Sequence, residues 1–338
     1  MSGLRAGVVG LGVGEQHIAG YASHPGCDVV AICDTDSTKL AEVAARHPQV
    51  RSTADPAAIL ADPDIDVVSI ASYDDAHFEQ ISAALAHGKH VFAEKPLVLY
   101  EHEALDLRSM LRERPELSLS SNVPLRMSPR FAHVRDRIVA GDFGAVFHME
   151  GDYDYGRRHK LVDGWRGDLP FYSVILGGAI HVVDLLLWMT GLRALEVTSA
   201  ISSGIATRGT KFAHPDFVLA TLRLEGGVTM KVTANLGCVS PHFHGIRIYG
   251  TDATFHNGLP DGVIYTPAPP PEGAASTVVD APYPGVHKGD LIYSFVESIL
   301  SGTPARVTAD DVFETLAVCF AIERALASGQ PEPVTGLG

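Results

Sequence analysis

The sequence is poor in cysteine, in basic residues and in long apolar runs. Its 338 residues include four cysteines, none in a CxxC pair or at metal-ligand spacing, so we expect reduced thiols and no metal site. Lysine and arginine number 26 against 40 acidic residues, and the net charge of −14 argues against nucleic-acid binding. No run approaches about twenty apolar residues, and no signal peptide precedes the first strand, which predicts a cytoplasmic protein without a membrane partner.

What the chain does contain is the composition of a globular protein. Hydrophobic residues make up 46% and charged residues 20% of the sequence, and the length predicts two domains. Residues 1–122 alternate short β-branched runs, such as Asp28–Asp34 and His90–Glu94, with amphipathic stretches such as Ser37–Arg46. This alternation predicts βαβ units and a parallel, doubly wound α/β sheet.

The second domain, residues 123–338, has longer strand-like runs and a Pro-rich connector at Thr266–Ala275. A glycine pair at Gly226 and Gly227 indicates a tight hairpin, so we expect an antiparallel sheet. Helices are predicted at about Gly178–Met189, Asp290–Leu300 and Ala309–Ser328, and we expect them to cover one face of that sheet. The second domain is therefore predicted to be α+β.

A glycine cluster, Gly10-Leu11-Gly12-Val13-Gly14, follows the first strand and opens the first helix. A dinucleotide site needs small residues here, because the backbone must turn sharply and bring its amides to a pyrophosphate at the helix N-terminus. The alternative is that these glycines only make a tight strand-to-helix turn.

Asp34 ends the second strand, twenty-two residues past Gly12. An acidic residue at this place accepts hydrogen bonds from the adenosine ribose hydroxyls. Asp36 adds negative charge, and the next basic residue is Lys39, so a 2′-phosphate would be repelled and NAD is predicted over NADP. The alternative is that Asp34 only caps the following helix.

The segment Ser72–Pro96, together with the glycine turn, resembles the glucose-fructose oxidoreductase, inositol dehydrogenase and MocA family, most clearly in Glu94-Lys95-Pro96. The resemblance implies an NAD-binding Rossmann domain followed by an α+β domain with an open-faced antiparallel sheet. The positions that we expect at the cofactor are Gly10, Gly12, Val13, Gly14, Asp34, Ser72, Tyr73, His77, Glu94 and Lys95.

Lys95 is the first predicted catalytic residue. It lies at the carboxyl end of a predicted strand, where ligands of doubly wound sheets bind, and an ammonium there can stabilise charge on a substrate oxygen. The resemblance assigns it a catalytic role. Without that resemblance, a lysine before Pro96 would be interpreted as a solvated charge on a loop.

His181 is the second predicted catalytic residue, because Leu176–Asp184 is similar to the family segment that carries the catalytic histidine. Its imidazole suits proton transfer near neutral pH. The aspartate usual in this family four residues earlier is Gly177 here, so the usual pair is not intact, and Asp184 and Asp168 are the candidate replacements. The alternative is a histidine satisfied within the core.

Aromatic and cationic residues after the first strand of the second domain suit a sugar, a carboxylate or a phosphate. A solvated charge run is the alternative. The candidate substrate-binding residues are Asn122, Tyr153, Tyr155, Arg157, Trp165 and Arg166, with Arg126 as a further possibility.

These motifs together predict an NAD-dependent dehydrogenase acting on a carbinol carbon of a sugar, cyclitol or sugar derivative. The resemblance also admits an NAD-dependent glycosidase that uses transient oxidation, and a dinucleotide-binding regulator that has lost catalysis. It further implies a homodimer or homotetramer, because the sheet of the second domain is expected to leave one face open.

Overall fold

The computed structural model describes residues 3–269 and 273–337 and divides into two compact units. The first unit comprises the chain up to Pro124, the later segment Val286–Phe313 and Leu337. The second comprises Leu125–Gly285 and Glu314–Gly336. The first break lies close to the predicted boundary at residue 122, but the chain returns to the first unit over Val286–Phe313, which the prediction placed in the second domain.

The first unit is a six-stranded parallel sheet with helices between its strands, as predicted. Its strand order is β3-β2-β1-β4-β5-β6, so the direction in which successive strands are added reverses between β1 and β4. Doubly wound sheets bind ligands at such a switch point. The strands read as apolar runs because parallel sheets are covered on both faces. The strands are β1 (Leu4–Val9), β2 (Cys27–Cys33), β3 (Arg51–Thr53), β4 (Val67–Ile70), β5 (His90–Ala93) and β6 (Leu119–Ser121), and the helices are α1 (Glu15–Ala22), α2 (Ser37–Arg46), α3 (Ala57–Leu60), α4 (His77–Ala86) and α5 (Glu101–Glu113).

The second unit contains a nine-stranded sheet of order β14-β13-β12-β11-β7-β10-β9-β8-β15. The strands are β7 (Val146–Asp154), β8 (Ala194–Ser203), β9 (Phe217–Leu224), β10 (Thr229–Asn235), β11 (Phe243–Gly250), β12 (Thr254–His256), β13 (Gly262–Pro267), β14 (Ala274–Val279) and β15 (Glu332–Pro333), and the helices are α6 (Pro129–Val139), α7 (His159–Val162) and α8 (Ile180–Thr190).

This sheet is mixed, and not wholly antiparallel as predicted. β7 lies at its centre, antiparallel to β11 but parallel to β10. The reason is connectivity: α7, α8 and two strands separate β7 from β10, so no hairpin fixes their relative direction. The predicted hairpin between β9 and β10 is confirmed, and Gly226 and Gly227 take the positive φ values, 68° and 79°, that its tight turn requires.

One face of the second sheet packs against α8. Met149, Gly151 and Tyr153 alternate along β7 and are all buried. Gly151 permits close packing, because a Cβ there would lie 3.0 Å from Leu186 and 3.1 Å from Val182.

The opposite face of this sheet is polar. Lys231 of β10 lies 3.1 Å from Glu150 and 2.9 Å from Asp152, and Arg247 lies 2.9 Å from Glu150. The open face is thus lined by ion pairs, and the expected homodimer or homotetramer stays a prediction.

The last two helices differ from their predicted placement. Helix α9 (Asp290–Ser301) lies in the first unit, where it packs on α1 at a close approach of Gly20 to Gly289 and brings Phe295 within 5.7 Å of Phe92 between ring centroids. Helix α10 (Ala309–Ser328) begins in the first unit and continues in the second. The amphipathic pattern of α9 predicted a buried face but carried no information about its partner.

Several short elements escaped prediction, namely β3, α3, α7 and β12 to β15. β14 is almost wholly exposed along its length, so its sequence lacks the alternation that marks a half-buried strand. The described parts of the Pro-rich connector form the end of β13 and the start of β14, and 270–272 lie outside the described residues.

Within the ranges 3–269 and 273–337, no helix has the length and apolarity needed to cross a bilayer. The same ranges contain no cluster of three or more histidine, cysteine or acidic side chains placed to hold a metal ion.

Candidate functional site

In the glycine turn after β1, the fold requires glycine at two positions but not at the third. Gly10 has a φ of 85°, and a Cβ there would overlap the carbonyl of Ala71 after β4. A Cβ on Gly14 would overlap the carbonyl oxygen of Gly10. Nothing lies within 4 Å of a Cβ placed on Gly12. The fold itself therefore does not demand glycine at residue 12, and the open backbone beside the start of α1 is a cradle that a side chain would fill.

Asp34 holds the glycine turn against the end of β2. Its Oδ2 accepts a hydrogen bond from the Leu11 amide at 2.7 Å, and its Oδ1 accepts one from the Asp36 amide at 2.9 Å. Asp36, and not Asp34, caps α2 by accepting hydrogen bonds from the Thr38 and Lys39 amides. The alternative role of Asp34 as the cap of α2 is therefore wrong, and its carboxylate stands beside the turn.

His77 links the loops that follow β4 and β5. Its Nδ1 lies 2.7 Å from the Pro96 carbonyl oxygen and its Nε2 lies 3.2 Å from that of Ser72. The ring is fully buried, whereas Tyr73 is 59% exposed. His77 thus supports the two loops from behind, and Ser72 and Tyr73 present their outer surface.

Glu94 is a buried carboxylate directly after β5. Its Oε1 accepts a hydrogen bond from Asn122 Nδ2 at 2.6 Å. Burial raises the pKa of the Glu94 carboxyl, but the neighbouring Lys288, His17 and Lys95 outweigh burial and hold that pKa well below its ordinary range. Glu94 is therefore an ionised anchor at the carboxyl end of the sheet.

Lys95 is half-buried at the turn after β5, preceding a cis peptide bond to Pro96. Its charge is one of those that lower the pKa of Glu94, so its ammonium lies near that carboxylate. The structure places the lysine at the carboxyl edge of the parallel sheet, as the motif predicts.

The network beneath Lys95 contains residues that sequence reasoning missed. His17 of α1 is fully buried, with Nδ1 2.7 Å from Ser69 Oγ and Nε2 3.4 Å from Glu94 Oε1. Lys288 accepts a hydrogen bond from Asn122 Nδ2 at its carbonyl oxygen, 2.8 Å away. His17 is the last residue of the glycine motif, three residues after Gly14, and this position could have indicated its role. No feature of the sequence indicated Lys288.

Asn122 is fully buried, and the contacts of its Nδ2 atom, with Glu94, Lys288 and His17, all lie inside the protein. Its Oδ1 has no hydrogen-bond partner among the residues that the structure describes. The contact of Asn122 with substrate stays a prediction. In the structure Asn122 donates a hydrogen bond to Glu94.

In the second unit, His181 is the second residue of α8 and only 6% exposed. A π-helical turn over Ile175–Ala179 leads into this helix. The imidazole is stacked on the Tyr153 ring, with 5.9 Å between the ring centroids. The residue therefore lies at the point where α8 meets β7.

Asp184 forms a buried ion pair with Arg126. The Arg126 Nε–Asp184 Oδ2 and Nη2–Oδ1 distances are 2.9 and 2.7 Å, and the side chains are 4% and 1% exposed. Both carboxylate oxygens thus accept hydrogen bonds from a guanidinium, a bidentate geometry that fixes Asp184 firmly. Arg126, a possible substrate-binding residue, donates to Asp184 in the structure. The orientation of His181 by Asp184 stays a prediction.

Tyr172 occupies the space beside Gly177. A Cβ on Gly177 would overlap the Tyr172 hydroxyl, and that hydroxyl accepts a hydrogen bond from Arg166 Nε at 3.1 Å. Asp168, considered as a replacement carboxylate, lies on the surface with Lys211 Nζ 2.8 Å from each of its oxygens. The structure thus explains why residue 177 is glycine and assigns Asp168 a different partner.

Replacing Gly177 by alanine is expected to lower the free energy of unfolding by roughly 1–3 kcal/mol, because the new methyl group overlaps the Tyr172 hydroxyl. Urea unfolding measures this loss. Gly204→Ala is the matched control, since a Cβ there meets its nearest atom at 3.7 Å. In a Tyr172→Ala background the cost should shrink, and a cost that stays unchanged would contradict this packing.

The predicted aromatic and cationic residues are grouped in the second unit. Tyr153 and Tyr155 are buried, with 6.1 Å between their ring centroids, and Arg157 lies over the Tyr155 ring. Arg166 lies over the Trp165 ring at 4.6 Å. Burial, with Arg157 and Arg166 nearby, lowers the pKa of Lys160, so these cations are close neighbours.

Sequence reasoning also missed His242, directly before β11, and His244, the second residue of that strand. Their rings lie 5.2 and 5.5 Å from the Tyr153 ring, measured between centroids. Two histidines at i and i+2 share one face of a strand, and that spacing was the available signal.

Comparisons with known proteins match both parts of the chain. Residues 4–121 match a model described as an oxidoreductase family with an NAD-binding Rossmann fold, and residues 131–256 match the C-terminal domain of the same GFO/IDH/MocA family. The chain is similar to inositol 2-dehydrogenase 3 of Saccharopolyspora erythraea, at 23% identity over 98% of this chain and 95% of the relative. It is also similar to 1,5-anhydro-D-fructose reductase of Ensifer adhaerens, at 28% identity over 66% of this chain and 67% of the relative.

Among solved structures, the fold resembles a levoglucosan dehydrogenase in complex with NADH and levoglucosan. The TM-score is 0.85 at 21% identity, and the match covers 98% of this chain and 99% of that chain. At this level of identity the likeness establishes the fold.

Proposed function

Because this chain belongs to the GFO/IDH/MocA oxidoreductase family, with its NAD-binding Rossmann fold, we propose that it is an NAD-dependent dehydrogenase of a sugar, cyclitol or sugar derivative. The names of its relatives, an inositol dehydrogenase, an anhydrofructose reductase and a levoglucosan dehydrogenase, support this substrate class. The observation that carries the proposal is the open backbone at Gly12 beside the Asp34 carboxylate, at the end of the sheet where doubly wound folds bind dinucleotides.

The first unit supplies the residues that would hold NAD. The amides of Gly12, Val13 and Gly14 would receive the pyrophosphate at the start of α1, where the helix dipole favours negative charge. Asp34 would accept hydrogen bonds from the adenosine ribose, since each carboxylate oxygen can accept more than the one amide it now holds. When bound, the nicotinamide supplies the hydride acceptor.

Two side chains would act on the substrate. Lys95 would donate a hydrogen bond to the oxygen of the carbinol and stabilise the negative charge that develops as the hydroxyl becomes a carbonyl. His181 would accept the hydroxyl proton, and in the reverse direction the same imidazolium would return it. The ionised Glu94, directly after β5, would attract the Lys95 ammonium and so help to position it.

The preference for NAD over NADP gives a sharp prediction. In the wild type we expect a higher kcat/KM with NAD, because a 2′-phosphate would face the carboxylates of Asp34 and Asp36. Asp34→Asn should lower the NAD-to-NADP ratio of kcat/KM by roughly tenfold or more, by removing a charge-assisted hydrogen bond to the ribose. Glu42→Gln, which removes a charge from the exposed face of α2, is the control and should leave the ratio unchanged. A higher kcat/KM with NADP in the wild type would contradict the assignment.

The experiment that tests the function is a panel of sugars, cyclitols, uronates and phosphorylated sugars, each assayed for NAD reduction at 340 nm, a wavelength set by the nicotinamide chromophore. Reduction by a member of the panel supports the dehydrogenase. Release of a free sugar from a glycoside without net NADH would establish the glycosidase instead. Tight NADH binding with no turnover of any member would establish a regulator that has lost catalysis.

A further inference from the structure

The chain between β7 and α8 concentrates positive charge in an acidic protein. Arg157, Arg158, Lys160 and Arg166 follow the end of β7 closely, whereas the chain as a whole has a net charge of −14. We call residues 157–166 the cationic segment, and Asp163 is the one acidic residue in its sequence. Its excess of positive charge calls for a physical reason, because like charges held close together repel one another.

Arg157 and Lys160 are neighbours on one helical turn. The Lys160 amide donates a hydrogen bond to the Arg157 carbonyl oxygen at 2.9 Å, and residues three apart on such a turn lie side by side on its surface. Both side chains reach solvent, and neither forms an ion pair with a residue in the ranges 3–269 and 273–337. Burial and the charges of Arg157 and Arg166 lower the pKa of the Lys160 ammonium, so these cations lie close enough to repel one another.

A row of aromatic rings connects Arg157 to the predicted proton acceptor. The Arg157 guanidinium carbon lies 5.8 Å from the Tyr155 ring centroid. The Tyr155 and Tyr153 centroids are 6.1 Å apart, and those of Tyr153 and His181 are 5.9 Å apart. Burial raises the pKa of the Tyr153 hydroxyl, and the charges of Arg157 and Arg166 oppose that rise, so both guanidiniums lie near this hydroxyl. The cations therefore border the place where His181 would accept a proton.

Arg166 approaches the same place from the chain that leads into α8. Its Nε donates a hydrogen bond to the Tyr172 hydroxyl at 3.1 Å, and its guanidinium carbon lies 4.6 Å from the Trp165 ring centroid. A Cβ on Gly177 would overlap the Tyr172 hydroxyl, so this hydroxyl lies against the π-helical turn that precedes His181. The two ends of the cationic segment thus both place a guanidinium near the start of α8.

We propose that the substrate carries a carboxylate or phosphate and that Arg157 and Lys160 bind this anionic group, with Arg166 adding to the positive potential. A guanidinium pairs with two oxygens of a carboxylate or phosphate, and an ammonium adds a point charge. Binding relieves the repulsion among the three cations, which a neutral sugar would leave in place. This inference rests on the proposed dehydrogenase function and narrows its substrate to an acidic sugar or an acidic cyclitol.

The first test detects the anion site in the full-length protein without substrate. Inorganic phosphate should raise the thermal unfolding midpoint above its value in sodium chloride of equal ionic strength, because a ligand that binds only the folded state stabilises it. In Arg157→Gln and in Lys160→Gln this phosphate-specific rise should fall by about half or more, since one of the two binding charges is lost.

Lys211→Gln is the control for the phosphate measurement. It removes a surface lysine that pairs with Asp168, so the phosphate-specific rise should stay as in the wild type. The glycine turn after β1 is the same in all these proteins, and its own affinity for phosphate cancels in the comparison. No rise, or an equal rise in the wild type and in both cationic-segment variants, would indicate a solvated charge run and overturn the inference.

The second test compares members of the substrate panel that differ in one charged group, such as a hexose with its hexuronate and its phosphate. In the wild type the acidic member should have a kcat/KM roughly tenfold or more above that of its neutral counterpart, because charge-assisted hydrogen bonds form only with the anion. Arg157→Gln and Lys160→Gln should each lower this advantage by roughly tenfold, mainly through KM, and leave the neutral member within about threefold of the wild type. The larger advantage, for uronate or for phosphate, identifies the anionic group.

Arg223→Gln, which removes a guanidinium from an exposed ion pair with Glu196, is the control and should keep the wild-type advantage. If neutral sugars are oxidised and their acidic counterparts are used less well, the inference is overturned while the dehydrogenase stands. An advantage that persists in both Arg157→Gln and Lys160→Gln has the same meaning for these two residues. If phosphate binds through them but no member of the panel is oxidised, the proposed function fails, and the assignment of this anion site to its substrate fails with it.

Discussion

Lys95→Ala and His181→Ala should each lower kcat by roughly a hundredfold or more, the loss expected when a positioned proton acceptor or charge stabiliser is removed. Lys95 sits beside the ionised Glu94 at the end of β5, and His181 is buried against Tyr153. Neither side chain is predicted to be needed for the Rossmann sheet itself. The measurement is steady-state turnover with NAD and the substrate that the panel identifies.

Controls separate this loss from misfolding. Lys211→Ala removes a lysine that pairs with Asp168 on the surface, and His148→Ala removes a partly exposed histidine, so both should keep full turnover. The Lys95→Ala and His181→Ala variants should remain folded at the assay temperature and bind NADH. Full turnover in either of them, with the fold intact, would remove that residue from the proposed mechanism.

Breaking the buried pair of Arg126 and Asp184 is expected to have the largest effect on stability. Arg126→Met leaves the Asp184 carboxylate buried without its guanidinium, and the free energy of unfolding should fall by about 3–5 kcal/mol. The reason is desolvation, since the carboxylate is 1% exposed and water cannot replace the lost hydrogen bonds. Urea unfolding followed by fluorescence and by circular dichroism measures the change.

The double variant Arg126→Met, Asp184→Leu tests the cause. Replacing both charges by apolar side chains of similar size removes the stranded carboxylate, so most of the lost stability should return. Arg193→Met breaks an exposed pair with Glu225 and serves as the control, with little expected change. Equal losses in the single and double variants would show that packing, and not the unpaired charge, causes the effect.

Much of the candidate site follows from short-range sequence patterns. The glycine turn and Asp34 sit at the ends of adjacent strands, and the hydrophobic period that predicted β1 and β2 also placed those residues at the carboxyl edge of the sheet. Lys95 was placed in the same way by the end of β5. The sequence predicted an antiparallel second sheet, whereas β7 and β10 pair in parallel, because alternation identifies a strand but not its neighbour.

The partners of the motif residues could not be predicted, because they come from distant parts of the chain. Lys288 reaches the Glu94 network from beyond residue 285, and the segment that carries it was expected in the other domain. Arg126 donates hydrogen bonds to both oxygens of Asp184, the carboxylate that the sequence suggested as the group that orients His181. A buried charge is stabilised by an opposite charge that is close in space, and the separation of two residues along the chain does not predict that distance.

Sequence alone therefore determined the α/β class of the amino-terminal half, the dinucleotide turn and the family, since each depends on residues that are close together along the chain. Tertiary structure alone decided that α9 belongs with α1, that Tyr172 fills the space beside Gly177, and that His242 and His244 join His181 around Tyr153. Such contacts depend on shape and on desolvation in the folded chain, and they arise only after distant segments have packed together.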